Sequence, residues 1–320
     1  MRIVLTGGSG QVGWELQRTL SPLGEVFAPP RDEMDLSDLE GLRQAVRHIR
    51  PEVIVNAAAY TDVDRAESEP EIARRVNAEA PAMLAEEARR LGACLVHYST
   101  DYVFDGCKGE PFTEEDAPNP LNAYGRSKLE GEQAVQQVGG AYVVLRTSWV
   151  YSLRRPCFVT RILESARMEP VIRVVADQVG SPTWCRSLAE ASAMLLAMVQ
   201  AKGMAWLTEH SGLYHLACAG ACNRWEWARA VLEFDLHADD QAAPALVPVG
   251  SEAFPSAARR PASSALASDR FAQVFSLRLP GWRDALRLAL TCQQTDFMKQ
   301  PAPGSMRQSG MHGAAGGPDV

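Results

Sequence analysis

Tyr124 and Lys128 stand four residues apart in Pro120-Leu121-Asn122-Ala123-Tyr124-Gly125-Arg126-Ser127-Lys128. On a helix they project from one face, a turn from each other. A phenol titrates near ~10 and moves protons poorly at neutral pH. An ammonium a few ångströms away favours the phenolate and lowers that pKa, which suits the pair to acid–base work. The spacing alone is common on exposed helices, so its meaning depends on what lies upstream. Upstream is Cys94-Leu95-Val96-His97-Tyr98-Ser99-Thr100-Asp101, an apolar run ending in hydroxyls and a carboxylate. With Thr100 at a strand end and the tyrosine on the helix that follows, both would lie over the nicotinamide of a bound dinucleotide.

The elements that must position these residues begin at the first. Arg2 to Thr6 is a short apolar run bounded by Gly7-Gly8, then Ser9-Gly10-Gln11-Val12-Gly13 opens a helical pattern at Val12, Leu16 and Leu20. A strand, glycine turn and helix in that order seat a pyrophosphate on the helix N-terminus, with Gly13 letting helix and strand approach. Gly7, Gly10, Gln11 and Val12 are therefore candidate cofactor contacts; a tight turn without ligand is the bland alternative. The next strand, Glu25 to Ala28, leads to Arg31, which would meet a 2′-phosphate or be a solvated loop arginine. Asp35 and Leu36, before a helix expected over Ser37–His48, fall where an acid can contact adenine. Val53 to Asn56 reads as a buried strand running into Ala57-Ala58-Ala59, small enough for a cofactor to lie against. A helix over Ala78–Leu91 and a strand at Tyr142–Thr147 complete the alternation. The pattern predicts an α/β fold, a Rossmann-type doubly wound parallel sheet with ligands at the carboxyl ends of its strands.

A formal net charge of −7 with no basic cluster to offset it argues against nucleic acid as a partner. No apolar run approaches the ~20 residues of a membrane span, and the opening residues read as a strand rather than a leader. Seven scattered cysteines read as buried thiols in a reducing, cytoplasmic protein. His215-x-x-Cys218-x-x-x-Cys222 offers three potential ligands without a fourth, too few for a structural zinc.

Gly7-x-x-Gly10-x-x-Gly13, Asn56-Ala57-Ala58-Ala59, Ser99-Thr100-Asp101-Tyr102-Val103-Phe104 and Tyr124-x-x-x-Lys128 resemble an extended short-chain dehydrogenase/reductase. Gly10-Gln11-Val12-Gly13-Trp14-Glu15-Leu16, Val63-Asp64-Arg65-Ala66-Glu67, Arg146-Thr147-Ser148-Trp149-Val150-Tyr151, Asp177-Gln178-x-Gly180-x-Pro182-Thr183 and Arg260-Pro261 are similar to the dTDP-4-dehydrorhamnose reductase branch, over residues 1 to about 290. The resemblance implies reduction of a nucleotide-linked keto-sugar by NADPH, with NADH an open alternative. It implies Thr100, Tyr124 and Lys128 as the catalytic trio. Tyr124 would protonate the C4 carbonyl oxygen, Thr100 would donate to the same oxygen, and Lys128 would tune the phenol and hold the nicotinamide ribose. Asp101 and Tyr102 would line the sugar site. Trp149 would offer a flat face to the ring or be a core aromatic; Arg260 would meet the diphosphate or, like Arg259, face solvent.

The family admits a homodimer, and magnesium held by acids at its interface. Glu15 is present, but Arg186 stands near where a second acid is expected, so no metal is assigned. Another departure is Ser152-Leu153-Arg154-Arg155-Pro156-Cys157-Phe158, stiffer and more basic than the glycine-rich loop of relatives. The same resemblance leaves open another nucleotide-sugar epimerase, dehydratase or reductase, or a non-catalytic subunit like the β subunit of methionine adenosyltransferase. The expected organisation is a cofactor domain over 1–151, to which the chain later returns, a mainly substrate-binding lobe over 152–298, and a disordered tail over 299–320.

Overall fold

Six short runs rich in valine, isoleucine and leucine form the central sheet: β1 (Arg2–Thr6), β2 (Glu25–Phe27), β3 (Val53–Asn56), β4 (Cys94–Thr100), β5 (Tyr142–Thr147) and β6 (Gly212–His215). The computed structural model describes residues 1–236 and 243–297. All six strands run parallel, in the order β6-β5-β4-β3-β1-β2. Parallel strands carry covering helices on both faces, which explains why β3 and β4 are buried at every residue. Alternation sorts their side chains: Ile3, Leu5, Val53, Val55, Val96, Val143 and Leu145 face one core, and Val4, Ile54, Leu95 and Val144 the other. The first core is roofed by helices Gln11–Leu20 and Cys185–Lys202, the second by Leu39–Ile49 and Ala80–Leu91.

Strand order reverses between β1 and β3, the crevice where doubly wound sheets take their ligands. The glycine turn follows β1 there, and a Cβ added at Gly13 would lie 2.0 Å from the Gly7 carbonyl oxygen, so the close approach expected of this glycine is real. The second helix starts at Leu39, two residues later than the pattern predicts, because Asp38 caps it by accepting from the Gly41 amide. The helix expected from Ala78 begins at Ala80, after a wide turn at Arg75–Glu79.

Beyond β5 the chain builds small pairs: Val150–Tyr151 with Thr183–Trp184, Val179–Gly180 antiparallel to Cys222–Asn223, and Val171–Val175 beside Ala245–Val249. It also forms helices at Met204–Glu209 and Asp269–Phe275 that the pattern did not announce. Among the described residues no helix is long and apolar enough to cross a membrane. The tail expected at 299–320 lies outside the described residues.

Candidate active site

Thr100 closes β4 and is buried; the helix Ala123–Val138, capped by Asn122 accepting from the Gly125 amide, carries Tyr124 and Lys128 back over that strand end. The Thr100 hydroxyl lies near enough to the Tyr124 phenol to favour its ionised form, so the structure brings together two of the three residues expected to act together. Thr100 is itself pinned: its Oγ1 accepts from the Tyr102 amide at 3.1 Å and donates to Asp101 Oδ1 at 3.2 Å.

Asp101 is only 3% exposed. Its other oxygen, Oδ2, accepts from Ser148 and Ser264. Burial pushes this carboxyl up to about 6, against the opposing pull of those hydroxyls. The residue expected to line the sugar site thus also ties β4, the segment after β5 and the Ser264 segment around Thr100.

Lys128 is 1% exposed, and its Nζ donates to the Tyr98 carbonyl at 2.6 Å, with His97 Nε2 at 3.4 Å. Burial lowers its pKa to about 8, with Glu132 pulling the other way. The expectation that Lys128 lowers the phenol pKa is corrected for this geometry. Burial raises Tyr124 above its ordinary value, Thr100 opposes this, and Asp101 and Tyr102 add to it. The ammonium points into the sheet toward a carbonyl, so desolvation of the phenol wins. Behind it a polar chain runs from His97 Nδ1 to the Asn56 side-chain amide at 3.0 Å and on to Thr6, whose hydroxyl donates to Asn56 Oδ1 at 2.6 Å.

Over this floor stand aromatic and cationic groups. Tyr102 meets Tyr124 edge to face at 6.1 Å. Trp149 has a left-handed backbone, φ 43°, and stacks on Trp227 at 5.6 Å. Its two readings merge: one neighbour is the buried Trp227, the other a cation, since the Arg224 guanidinium lies 4.2 Å from the Trp149 ring centroid. The ring rests where residue 180 has no side chain; a Cβ there would come within 2.3 Å of it. Arg224 also donates to Gln178 at 3.1 Å and its charge acts on the Tyr102 hydroxyl. Arg260 pairs with Asp64 at 2.7 Å while its Nη1 is buried without a partner, and Arg259 is the exposed one of the two.

The sequence reading missed Arg224, Gln178 and Asp64. Arg224 opens a helix that looks like plain core, and only the antiparallel pairing of 179–180 with 222–223 brings it to Trp149.

At the sheet's switch point a cavity of about 380 Å³ is lined by Gly8, Ser9, Gly10, Gln11, Ala28 and Arg154, among others. Gln11 Oε1 is buried without a partner. A ligand-sized cleft at a glycine turn and helix N-terminus fits a dinucleotide. Ala57, Ala58 and Ala59 are partly buried at the end of β3, and Val12 is partly buried against the core. Neither Asp35 nor Leu36, two further expected cofactor contacts, is among the residues lining this cavity. Leu36 is buried in the hydrophobic core, drawn there by its own apolarity. Asp35 accepts from the Ser37 amide and faces Arg31, whose side chain is 81% exposed. Among the described residues no group of three metal-ligating side chains gathers, and His215 instead faces the Phe112 carbonyl.

The family described as the RmlD substrate binding domain matches residues 1–295. A dTDP-4-dehydrorhamnose reductase of Burkholderia thailandensis is 44% identical over 294 residues, 91% of this chain and 98% of its own. One from Escherichia coli K12 is 41% identical over 295 residues, 91% and 97% of the two chains. Among solved structures, the dTDP-4-dehydrorhamnose reductase of Bacillus anthracis in complex with NADP superposes with a TM-score of 0.81 at 33% identity, over 91% of this chain and 98% of that one. A UDP-glucose 4-epimerase of Thermus thermophilus, 23% identical with a TM-score of 0.72, shares the fold. A match along nearly the whole chain, over a sheet that carries Thr100, Tyr124 and Lys128 at one strand end, makes this protein a member of the RmlD family.

Proposed function

We propose that this protein reduces the C4 keto group of dTDP-4-dehydro-β-L-rhamnose with NADPH to give dTDP-β-L-rhamnose, the last step in making that sugar donor. The observation that carries the reading is the Thr100 hydroxyl beside the Tyr124 phenol at the carboxyl end of β4, in a molecule that also offers a dinucleotide-sized cleft at the switch point and a cluster of aromatic rings and guanidiniums. The likeness at 44% identity to a protein named for this reaction supports the substrate.

When bound, the reduced nicotinamide supplies the hydride. The protein's residues handle everything else. Tyr124 holds a proton on its phenol oxygen, kept there by the raised pKa, and passes it to the C4 oxygen as charge develops. Thr100 orients that oxygen, its hydroxyl held in place by the Tyr102 amide and Asp101. Lys128, one helical turn on and anchored to the Tyr98 carbonyl, would hold the nicotinamide ribose. Tyr102 and Trp149 present ring faces to the deoxyhexose, and Arg224 and Arg260 face the diphosphate. In this reading residues 1–151 serve mainly the cofactor and 152–298 mainly the substrate, and the enzyme works in the cytoplasm.

The test is NADPH oxidation followed at constant enzyme with and without the keto-sugar. Turnover should require the sugar, and Tyr124→Phe should lose about 100-fold or more in kcat, the scale of a missing general acid. Full turnover by Tyr124→Phe would overturn the mechanism, and consumption of other 4-keto sugars alone would overturn the substrate.

A further inference from the structure

Cofactor selection in this family of folds is sought at the end of β2, but here the cations gather elsewhere. Arg31 follows β2, yet it is 81% exposed, faces Asp35 at 3.4 Å and is not among the residues lining the switch-point cavity. That cavity has two walls. One is the glycine turn Gly8-Ser9-Gly10 with Ala28, Pro29 and Pro30 from the end of β2, where an adenosine ribose lies in such folds. Facing it are Ser152, Arg154 and Arg155, from the loop that follows Val150–Tyr151.

Trp14 fixes this loop. The Arg154 guanidinium stands 3.1 Å from the Trp14 ring centroid, and that of Arg18 3.5 Å from the same point. Two planar cations that close to one centroid must take opposite faces of the indole. Arg18 is further held by its bond to the Trp14 carbonyl. The guanidiniums of Arg18 and Arg154 thus crowd around one ring, the Arg155 charge also acts on Arg154, and of the nearby carboxylates Glu15 is the one that acts on Arg154. Loss of hydration, then repulsion from Arg18, lowers the Arg154 pKa. Among the described residues neither Arg154 nor Arg155 forms an ion pair. Arg43, Arg47 and Arg146, by contrast, are each matched to an acid.

We infer that Arg154 and Arg155 are the receptor for the 2′-phosphate of the dinucleotide, and that this loop, not Arg31, sets the preference for the phosphorylated cofactor. A phosphate at the ribose 2′ position would sit between the β2 end and the loop. Arg155 reaches it free of competing partners, and Arg154 is preset by its stack on Trp14, so little side-chain entropy is lost on binding. The inference rests on the dinucleotide reading given above and deepens it.

Affinities of the full-length protein for NADP⁺, NAD⁺ and 2′,5′-ADP, measured by titration calorimetry without sugar, test it. Each charge-assisted contact is worth roughly tenfold, so Arg154→Ala with Arg155→Ala should weaken NADP⁺ and 2′,5′-ADP about 100-fold while NAD⁺ changes less than about threefold. Arg31→Ala should leave NADP⁺ within about threefold, and added salt should weaken NADP⁺ more than NAD⁺. Arg154→Lys, which keeps the charge but not the planar stack, should fall between wild type and the alanine variant. Equal losses for NADP⁺ and NAD⁺ would overturn the assignment in favour of a pyrophosphate contact, and a large loss in Arg31→Ala alone would return selection to the β2 end. Unchanged affinities in the double variant would overturn it outright while leaving the dinucleotide reading intact; a wild-type protein that binds neither dinucleotide removes both. Because both arginines are exposed, unchanged thermal unfolding checks that the variants remain folded.

Discussion

The two ends of the cofactor crevice handle charge in opposite ways. At the β4 end every ionisable group is folded into protein: Asp101 accepts from three hydroxyls, Lys128 donates to a carbonyl, and Glu132 binds Arg146 through two oxygens and takes the Ser99 hydroxyl as well. Around Trp14, the guanidiniums of Arg18 and Arg154 are left with little to neutralise them. Burying a charge without a partner is prohibitive, so the closed end reads as a scaffold that holds one phenol and one hydroxyl in place. Crowding like charges at a surface is cheap and becomes useful once an anion arrives. The contrast separates residues that position from residues that bind.

The largest effect should come from breaking the closed end. Glu132→Gln leaves the Arg146 guanidinium buried against a neutral group and should cost about 3–5 kcal/mol in denaturant unfolding, the usual scale for half of a buried pair. A loss below 1 kcal/mol would show that water reaches this end and blur the comparison. Tyr124→Phe comes next, with about 100-fold in kcat and no loss of stability, because the phenol acts on substrate and not on the scaffold. Lys128→Met should separate the two roles: catalysis collapses, while stability at pH 7 rises by about 1–3 kcal/mol as a desolvated cation is removed. The sign follows from linkage. Folding depresses this lysine from 10.5 to about 8, so its cost is fully present below pH 8 and fades as pH rises toward 10.5. Wild type and Lys128→Met should therefore converge in stability in alkaline unfolding experiments.

The smallest effect belongs to Asp101. Its folded pKa, about 6, lies above the unfolded 3.8, so its protonated carboxyl contributes stability that is fully present below pH 3.8 and is lost as pH rises through 6. The stability of wild type relative to Asp101→Asn should decline by about 1–3 kcal/mol across that window, on the scale of about 1.4 kcal/mol per pKa unit. A flat difference would mean that the carboxylate is better solvated than its position under Thr100 implies.

The sheet and its binding crevice were legible because parallel strands leave continuous apolar runs and glycine turns leave their own punctuation, as Val53–Asn56 and Gly7–Gly13 do. Thr100, Tyr124 and Lys128 were legible because each lies at a strand end or one helical turn away. Arg224 was not: its place beside Trp149 depends on a two-residue antiparallel pairing about 40 residues back in the chain, and no local pattern encodes that. The ties of Asp101 were not legible either, because its partners, Ser148 and Ser264, are brought in from far along the chain.

Trp149 and residue 180 also constrain how this protein can drift. The ring occupies the space that any side chain at 180 would need, and it is held by that fit, by the stack on Trp227, by the Arg224 guanidinium and by the Thr183 amide, which donates to the Trp149 carbonyl. Neither position can change first without loss: a larger residue at 180 evicts the indole, and a smaller residue at 149 opens a hole above the sugar site. The two behave as a single heritable unit, and a lineage seeking a new sugar would have to change them together or find its specificity elsewhere, at Arg224 or Gln178.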